Sequence, residues 1–459
     1  MVNECVILAD SPGALTELCG ISTLERLLRT LQRCGIRRAT VFSSTPDPVA
    51  KELARPSWAR AQLSLTLRTR EAGPVKLEQI VDIWPRNSAA TSLLLVIPAG
   101  SVFDPRLLRV LASQEAPAVL VDSGARRPRL QTLIASAPDT ARGKLCGPAL
   151  LAYQWASAQN GLLEDALRNG VERSNLTALD VSAQPLYYVS MRRKLRPFWF
   201  PVPSPSNEKL AKHVLFDSIQ KGTLDIPAWF HAPIETFLVS RLCKTRITPN
   251  QLTLLCNVVA WVVTILLATG HLAWGLGLAL IVGVLDGLDG KQARLKVETT
   301  KSGRIEHWFD AFFEISWWIA IAWHFRVSGE LPRAFDYLLL LLVAETVDGL
   351  AKASVYFTTG QVIDELGAFE RFVRLVGGRR NVYVWILTIG FLLGAPAKAF
   401  VVMAWLQVAT AIVHLPTAVG NFIRNRHRFS IRLRGLRRFA ALASRQCRYG
   451  DIFRSRQAR

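Results

Sequence analysis

The sequence predicts an α/β domain followed by an all-α bundle of six transmembrane helices. Three observations carry this expectation. Short apolar strands alternate with amphipathic helical runs over residues 1–195. Four prolines then interrupt the chain within Arg196–Asn207. From about residue 249 the chain holds apolar runs close to 20 residues, the length that crosses a hydrocarbon core.

The first strand is Val6–Ala9, and it runs into a glycine-containing turn. TLERLLRTLQRCGI follows, with Leu24, Leu27, Leu28 and Leu31 on one helical face. ATVFSS reads as a second strand, and Ser92–Pro98 (SLLLVIP) as a buried parallel one. Strand, helix and strand at this spacing make a βαβ unit. Residues 196–226 read as a linker, because prolines break regular elements. Residues 227–246 read as an interfacial helix: Ile234, Phe237, Leu238 and Leu242 share a face, flanked by Arg241 and Lys244.

Six spans are expected at roughly 249–270, 272–290, 305–325, 335–357, 381–396 and 399–419. The loop between the second and third carries Lys291, Arg294, Lys296, Lys301 and Arg304. The loop between the fourth and fifth carries Arg371, Arg374, Arg379 and Arg380. Basic loops stay in the cytoplasm, so the N-terminal domain and both termini are expected there, in a multi-pass protein of a bacterial or archaeal cytoplasmic membrane.

The formal net charge is +21 and the mean hydropathy +0.22. Twelve arginines against one acid, Asp451, fall in residues 424–459, read as a basic cytoplasmic tail directly after the apolar runs. Such a segment suits anionic membrane lipid. It lacks the aromatic interleaving and the fold of a nucleic-acid binder, so no nucleic acid is expected. Seven scattered cysteines without CxxC spacing suggest a reducing compartment and no zinc site. MVNECVILAD has neither a basic n-region nor an apolar h-region, so no cleaved signal is expected.

The chemistry concentrates in DGLDGKQAR, Asp286–Arg294. Asp286 and Asp289 are three apart, which puts both carboxylates on one side of a helix. Glu306, Asp310 and Glu314 repeat every four residues on the next helix. Acids at membrane depth are costly unless paired or metal-bound. Carboxylate oxygens from two helices suit a hard divalent cation. Gly287 and Gly290 remove side-chain bulk where a phosphate could approach the backbone, and Arg294 could meet it. The plainer reading, interfacial charges ending two helices, leaves the glycines and the arginine unexplained.

Asp286-x-x-Asp289-Gly290-x-x-Ala293-Arg294 resembles the first half of the CDP-alcohol phosphotransferase (phosphatidyltransferase) motif residue for residue. Gly303 falls where the family pattern continues, but its strict register then meets His307 and Ala311. One residue earlier, Glu306 and Asp310 have the required spacing; Asp310 with Glu314 is the alternative. ITPNQLT (Ile247–Thr253) and GGRRNVYVW (Gly377–Trp385) are also similar to family segments.

This resemblance implies a homodimeric six-helix enzyme of phospholipid biosynthesis. Such an enzyme transfers a phosphatidyl or phosphoalcohol group from a CDP-linked donor to an alcohol or phosphoalcohol acceptor, releasing CMP. It implies two divalent ions, Mg²⁺ or Mn²⁺, on Asp286, Asp289, Glu306 and Asp310, with Asp310 as general base. It implies donor binding by Gly290, Ala293, Arg294 and Gly303. Arg379 and Arg380 are candidates for an acidic acceptor, or ordinary positive-inside charges. In the fourth span Glu345, Asp348 and Lys352 share a face and are expected to pair within the bundle, lining the polar cavity being the alternative.

Residues 1–195 resemble a Rossmann-like sugar-phosphate nucleotidyltransferase, a domain fused ahead of the membrane bundle in the bifunctional inositol-phosphate cytidylyltransferase branch. The loop that should grip the triphosphate is ADSPGALTELCG, with no Lys or Arg between Ala9 and Arg26. Gly100 occupies the position expected for a metal-binding Asp, Asp104 reads as structural, and the acidic pair expected near Pro185–Arg193 is missing. A degenerate, scaffolding domain is therefore expected. The alternatives are a fully bifunctional enzyme and a non-enzymatic metal-binding membrane protein.

Overall fold

The computed structural model describes residues 2–55, 63–84, 92–124, 128–222, 225–298 and 303–425, with the backbone alone for 128–129 and 303–309. Most of the expected basic tail, from residue 426 onward, lies outside the described residues, as does the side chain of Glu306. The chain forms two compact units. The first holds residues up to 222, Glu235–Leu252 and residues from 288 to 298; the second holds 225–234, 253–287 and 303–425.

The first unit is built on an eight-stranded mixed sheet. Seven of its strands are β1 (Glu4–Leu8), β2 (Arg38–Ser43), β3 (Ser64–Thr69), β4 (Leu93–Pro98), β5 (Ala118–Asp122), β6 (Gly143–Ala152) and β7 (Thr177–Asp180). Their order across the sheet is β7-β5-β6-β4-β1-β2-β3, with β6 antiparallel to both neighbours. Central β1 pairs in parallel with β2 and β4, so Val6 sits beside both Thr40 and Val96. Its unbroken apolar run reflects cover on both faces: Val6 and Ile7 are buried.

Helix α1 (Thr23–Arg33) follows the turn after β1. The Ser22 hydroxyl accepts from the Glu25 N–H at 3.1 Å, a side-chain N-cap. Leu24, Leu27, Leu28 and Leu31 are buried, as their spacing predicts.

Within the expected linker, residues 196–222 are more ordered than a linker. Trp199–Pro201 pairs antiparallel with Ser101–Phe103, and Glu208–Ile219 forms helix α2. The prolines fall where they cost little: Pro201 ends its short strand and Pro205 opens the turn before α2.

Helix α3 (Pro227–Leu242) occupies the expected interfacial segment, and Trp229, Phe230, Ile234 and Phe237 are exposed along it. Then come α4 (Pro249–Ala268), α5 (Leu272–Leu295), α6 (Gly303–Val327), α7 (Ala334–Thr359), α8 (Ala368–Val376), α9 (Arg380–Leu392) and α10 (Pro396–Asn425).

In the second unit the core holds Phe313, Trp317, Trp318, Phe325, Tyr383 and Phe400. Trp317 Nε1 donates to the Ala260 carbonyl at 2.8 Å, so a buried indole N–H is satisfied between α4 and α6. The outer face of α4 shows Leu254, Val258, Trp261 and Ile265, each about half exposed or more. Spacing of four, three and four places them on one stripe left exposed among the described residues, a face suited to lipid. Among the described residues, α4, α5 and α10 are long and apolar enough to cross a membrane. Helices α6 and α7 have 25 and 26 residues but carry more charge, and α9 is a shorter apolar helix of 13.

Candidate functional site

Helix α5 carries the motif in its last turns, and its regular 3.6-residue repeat sets Asp286 and Asp289 on the same side. Asp289 is buried, with Oδ1 accepting from the Gly290 N–H at 2.5 Å. At Gly290 a side chain would press on Arg294: a Cβ there would lie 3.1 Å from Arg294 Nη1. Arg294 Nε donates to the Ile219 carbonyl at the end of α2, at 2.8 Å. The Ala293 carbonyl accepts from Glu298 N–H at 2.8 Å. Lys291 is buried against Glu235 at 3.0 Å and the Thr236 hydroxyl at 3.0 Å, partners on α3 that sequence spacing could not reveal.

In the second unit Asp286, Asp310 and Glu314 lie around Arg380 at the start of α9. Arg380 Nη2 lies 2.5 Å from Asp286 Oδ2. Its guanidinium carbon stands 5.0 Å from the ring centre of Phe313 on α6, a cation–π contact. Asp310 and Glu314, also on α6, lie within electrostatic reach of Arg380. The neighbouring Arg379 pairs at 3.6 Å with buried Asp225, a partner missed from sequence because it sits 154 positions away. Gly303 is the first residue of α6.

Among the described residues no three His, Cys, Asp or Glu side chains converge as a metal-binding group. The donor chemistry nonetheless fits a hard divalent cation. Asp286 already draws a cationic partner, and Asp310 adds a second carboxylate that feels the same Arg380.

On α7, Asp348 is buried between two partners: Lys352 at 2.5 Å and His414 Nδ1 of α10 at 2.5 Å. The expected Asp348–Lys352 pairing is present, and His414 completes it from a helix that spacing alone could not connect.

In the first unit the head of the ADSPGAL loop is an anchored ion pair. Asp10 Oδ1 accepts from the Ser44 N–H at 2.8 Å and the Ser44 hydroxyl at 2.7 Å, and Oδ2 pairs with Arg70. Burial opposes the charged Asp10, but the Ser44 hydrogen bonds and the Arg70 guanidinium outweigh it and hold its pKa below the ordinary value. Gly13 faces Gly100, so the position aligned with a metal carboxylate is beside the loop and bears no side chain. Asp104 caps the helix Pro105–Ala112, accepting from the Arg106 N–H at 2.9 Å, and pairs with the Arg106 guanidinium at 2.8 Å.

Residues 246–413 match the CDP-alcohol phosphatidyltransferase family. A bifunctional IPC transferase and DIPP synthase of Aquifex aeolicus is 28% identical over 210 residues, 45% of this chain and 47% of that protein. A phosphatidylinositol phosphate synthase of Corynebacterium glutamicum is 33% identical over 115 residues, 24% of this chain and 52% of that protein. The chain spans about half the length of the curated relatives it matches. Among solved structures, the inositol-1-phosphate CTP transferase from T. maritima aligns with 46% of this chain and 96% of its own, at 13% identity and a TM-score of 0.33. The motif on α5 and the helices that follow thus lie within the stretch, residues 246–413, that matches the CDP-alcohol phosphatidyltransferase family, and an α/β domain precedes it.

Proposed function

We propose that this chain is a six-span, homodimeric integral-membrane enzyme of phospholipid synthesis. It moves a phosphatidyl or phosphoalcohol group from a CDP-linked donor to an alcohol acceptor and releases CMP. The observation that carries this reading is the salt bridge between motif residue Asp286 and Arg380. It joins the donor-side motif to a cation suited to an acidic acceptor. Asp286, Asp289, Glu306 and Asp310 are the residues that would hold Mg²⁺ or Mn²⁺, whose charge would neutralise the donor diphosphate. Asp310 accepts the proton of the acceptor hydroxyl. Gly290, Ala293, Arg294 and Gly303 border the donor, and Arg379 with Arg380 orients a phosphate on the acceptor. Both termini face the cytoplasm, and the Arg-rich tail lies on anionic lipid.

The α/β domain is read as non-catalytic. The loop has no lysine or arginine of its own, and the nearby Arg70 is already engaged by Asp10, so it offers no free cation of the loop to grip a triphosphate. The relatives named as bifunctional favour the second reading, in which this domain makes the CDP-alcohol. The deciding experiment supplies membranes containing the chain with radiolabelled CDP-diacylglycerol and a panel of inositol phosphate, glycerol phosphate and serine. Metal-dependent CMP release with one acceptor supports the transferase; no release with any acceptor overturns it.

A further inference from the structure

Helix α1 has a second buried face, made of arginines. Arg26 and Arg29 are 5% and 2% exposed, although each carries a full charge and both stand on the side opposite the leucine core. Their partners are the last residues of the motif helix and the turn after it. Arg26 Nη1 donates to the Leu295 carbonyl at 2.5 Å. Arg29 Nη1 donates to the Lys296 carbonyl at 2.9 Å and meets Glu298 Oε1 at 3.3 Å. Arg33 donates to the Glu298 carbonyl. Glu25 steadies Arg29 Nε at 2.9 Å.

These carbonyls belong to a helix end, where the final C=O groups lack intrahelical donors and the dipole favours positive charge. The end is also strained. Val297 N–H bonds to the Arg294 carbonyl at 3.3 Å and Glu298 N–H to the Ala293 carbonyl at 2.8 Å, the paired bonds of a Schellman turn. That turn needs a left-handed residue, and Val297 supplies it with φ of +55°. A β-branched residue disfavours this conformation, so outside contacts must hold it.

We propose that α1 is a cap on the motif helix, and that Arg26, Arg29 and Arg33 are positioning residues for phosphoalcohol transfer. The cap gives the α/β domain a task that needs no nucleotide chemistry: it holds the C-terminal turn of the helix that bears Asp286 and Asp289. The inference rests on the transferase reading above.

The test uses the full chain in lipid nanodiscs, comparing wild type with R26Q/R29Q, R29K, R29Q and R29Q/V297G. Hydrogen–deuterium exchange reads residues 293–298, and CMP release from CDP-diacylglycerol gives kcat and KM. R26Q/R29Q is expected to exchange these amides at least tenfold faster and to raise the donor KM about tenfold. R29K should recover part of both. Gly takes a positive φ without strain, so R29Q/V297G should regain protection relative to R29Q. A change that only lowers the folded fraction reduces kcat and leaves KM alone. Unchanged KM in R26Q/R29Q overturns the positioning role, and unchanged exchange overturns the cap. If R26Q/R29Q fails to fold, R29Q against R29Q/V297G decides by the same readouts. A wild-type chain that releases no CMP overturns the transferase reading, while exchange still decides the cap.

Discussion

Arg380 and Asp286 lie 94 positions apart in the chain and 2.5 Å apart in the fold. The arginine also stands over the Phe313 ring, so it is fixed by both charge and packing. Under the proposed function, this guanidinium would serve the donor-side carboxylate and an incoming acidic acceptor in turn.

Asp286→Asn and Asp289→Asn are each expected to cut CMP release at least 100-fold, because a neutral amide holds a divalent cation poorly. Arg380→Gln should instead raise the acceptor KM about tenfold. The assay is CMP release at matched expression across Mg²⁺ concentrations. Full activity in either aspartate variant removes these residues from the site.

The acids on α6 can be ordered by substitution. Asp310→Asn is expected to abolish turnover while donor binding persists, as for a lost general base. Glu306→Gln should shift the Mg²⁺ dependence, and His307→Ala should cost less than threefold. A His307→Ala variant as impaired as Asp310→Asn would favour the strict motif register.

The full chain incubated with CTP and inositol, glycerol or sugar phosphates is expected to release no pyrophosphate above blank. Asp10 anchored by Ser44 and Arg70, and Gly100 in place of a carboxylate, motivate this. Steady metal-dependent pyrophosphate release would restore the bifunctional reading.

Asp348→Ala should destabilise the helical unit by about 1–3 kcal/mol, since it leaves the buried His414 ring nitrogen without its hydrogen-bond partner, while the part-exposed Lys352 can turn to solvent. Thermal unfolding in detergent measures it. Asp348→Asn, which keeps a hydrogen-bond acceptor for His414, should lose less. Equal stability of Asp348→Ala and wild type would mean that the Asp348–His414–Lys352 cluster contributes nothing.

The alternation of apolar strands with a leucine-faced helix is legible in the first 43 residues, where β1, α1 and β2 stand at the expected spacing. The motif Asp286–Arg294 is legible for the same reason: three- and four-residue spacings become neighbours on any helix. Span counting was less secure. Hydropathy marks α4, α5 and α10, whereas α6 and α7 carry more charge, and on α7 Asp348 is met by His414 of α10, a partner outside its own sequence window. The proline-rich stretch misled for a related reason, since strand Trp199–Pro201 exists only because Ser101–Phe103 supplies its hydrogen bonds.

Local pattern thus determined which residues are helical, which are apolar and which carry the transferase motif. Tertiary structure decided where the charges go. Arg26 and Arg29 look like the solvent face of an amphipathic helix, yet they are buried on carbonyls more than 260 positions away. Arg379 and Arg380 look like equivalent loop charges, yet one pairs with Asp225 and the other with Asp286. Hydrophobic periodicity is set within a few turns of chain, but an ion pair depends on which distant backbone the fold brings within 4 Å, and no spacing rule encodes that.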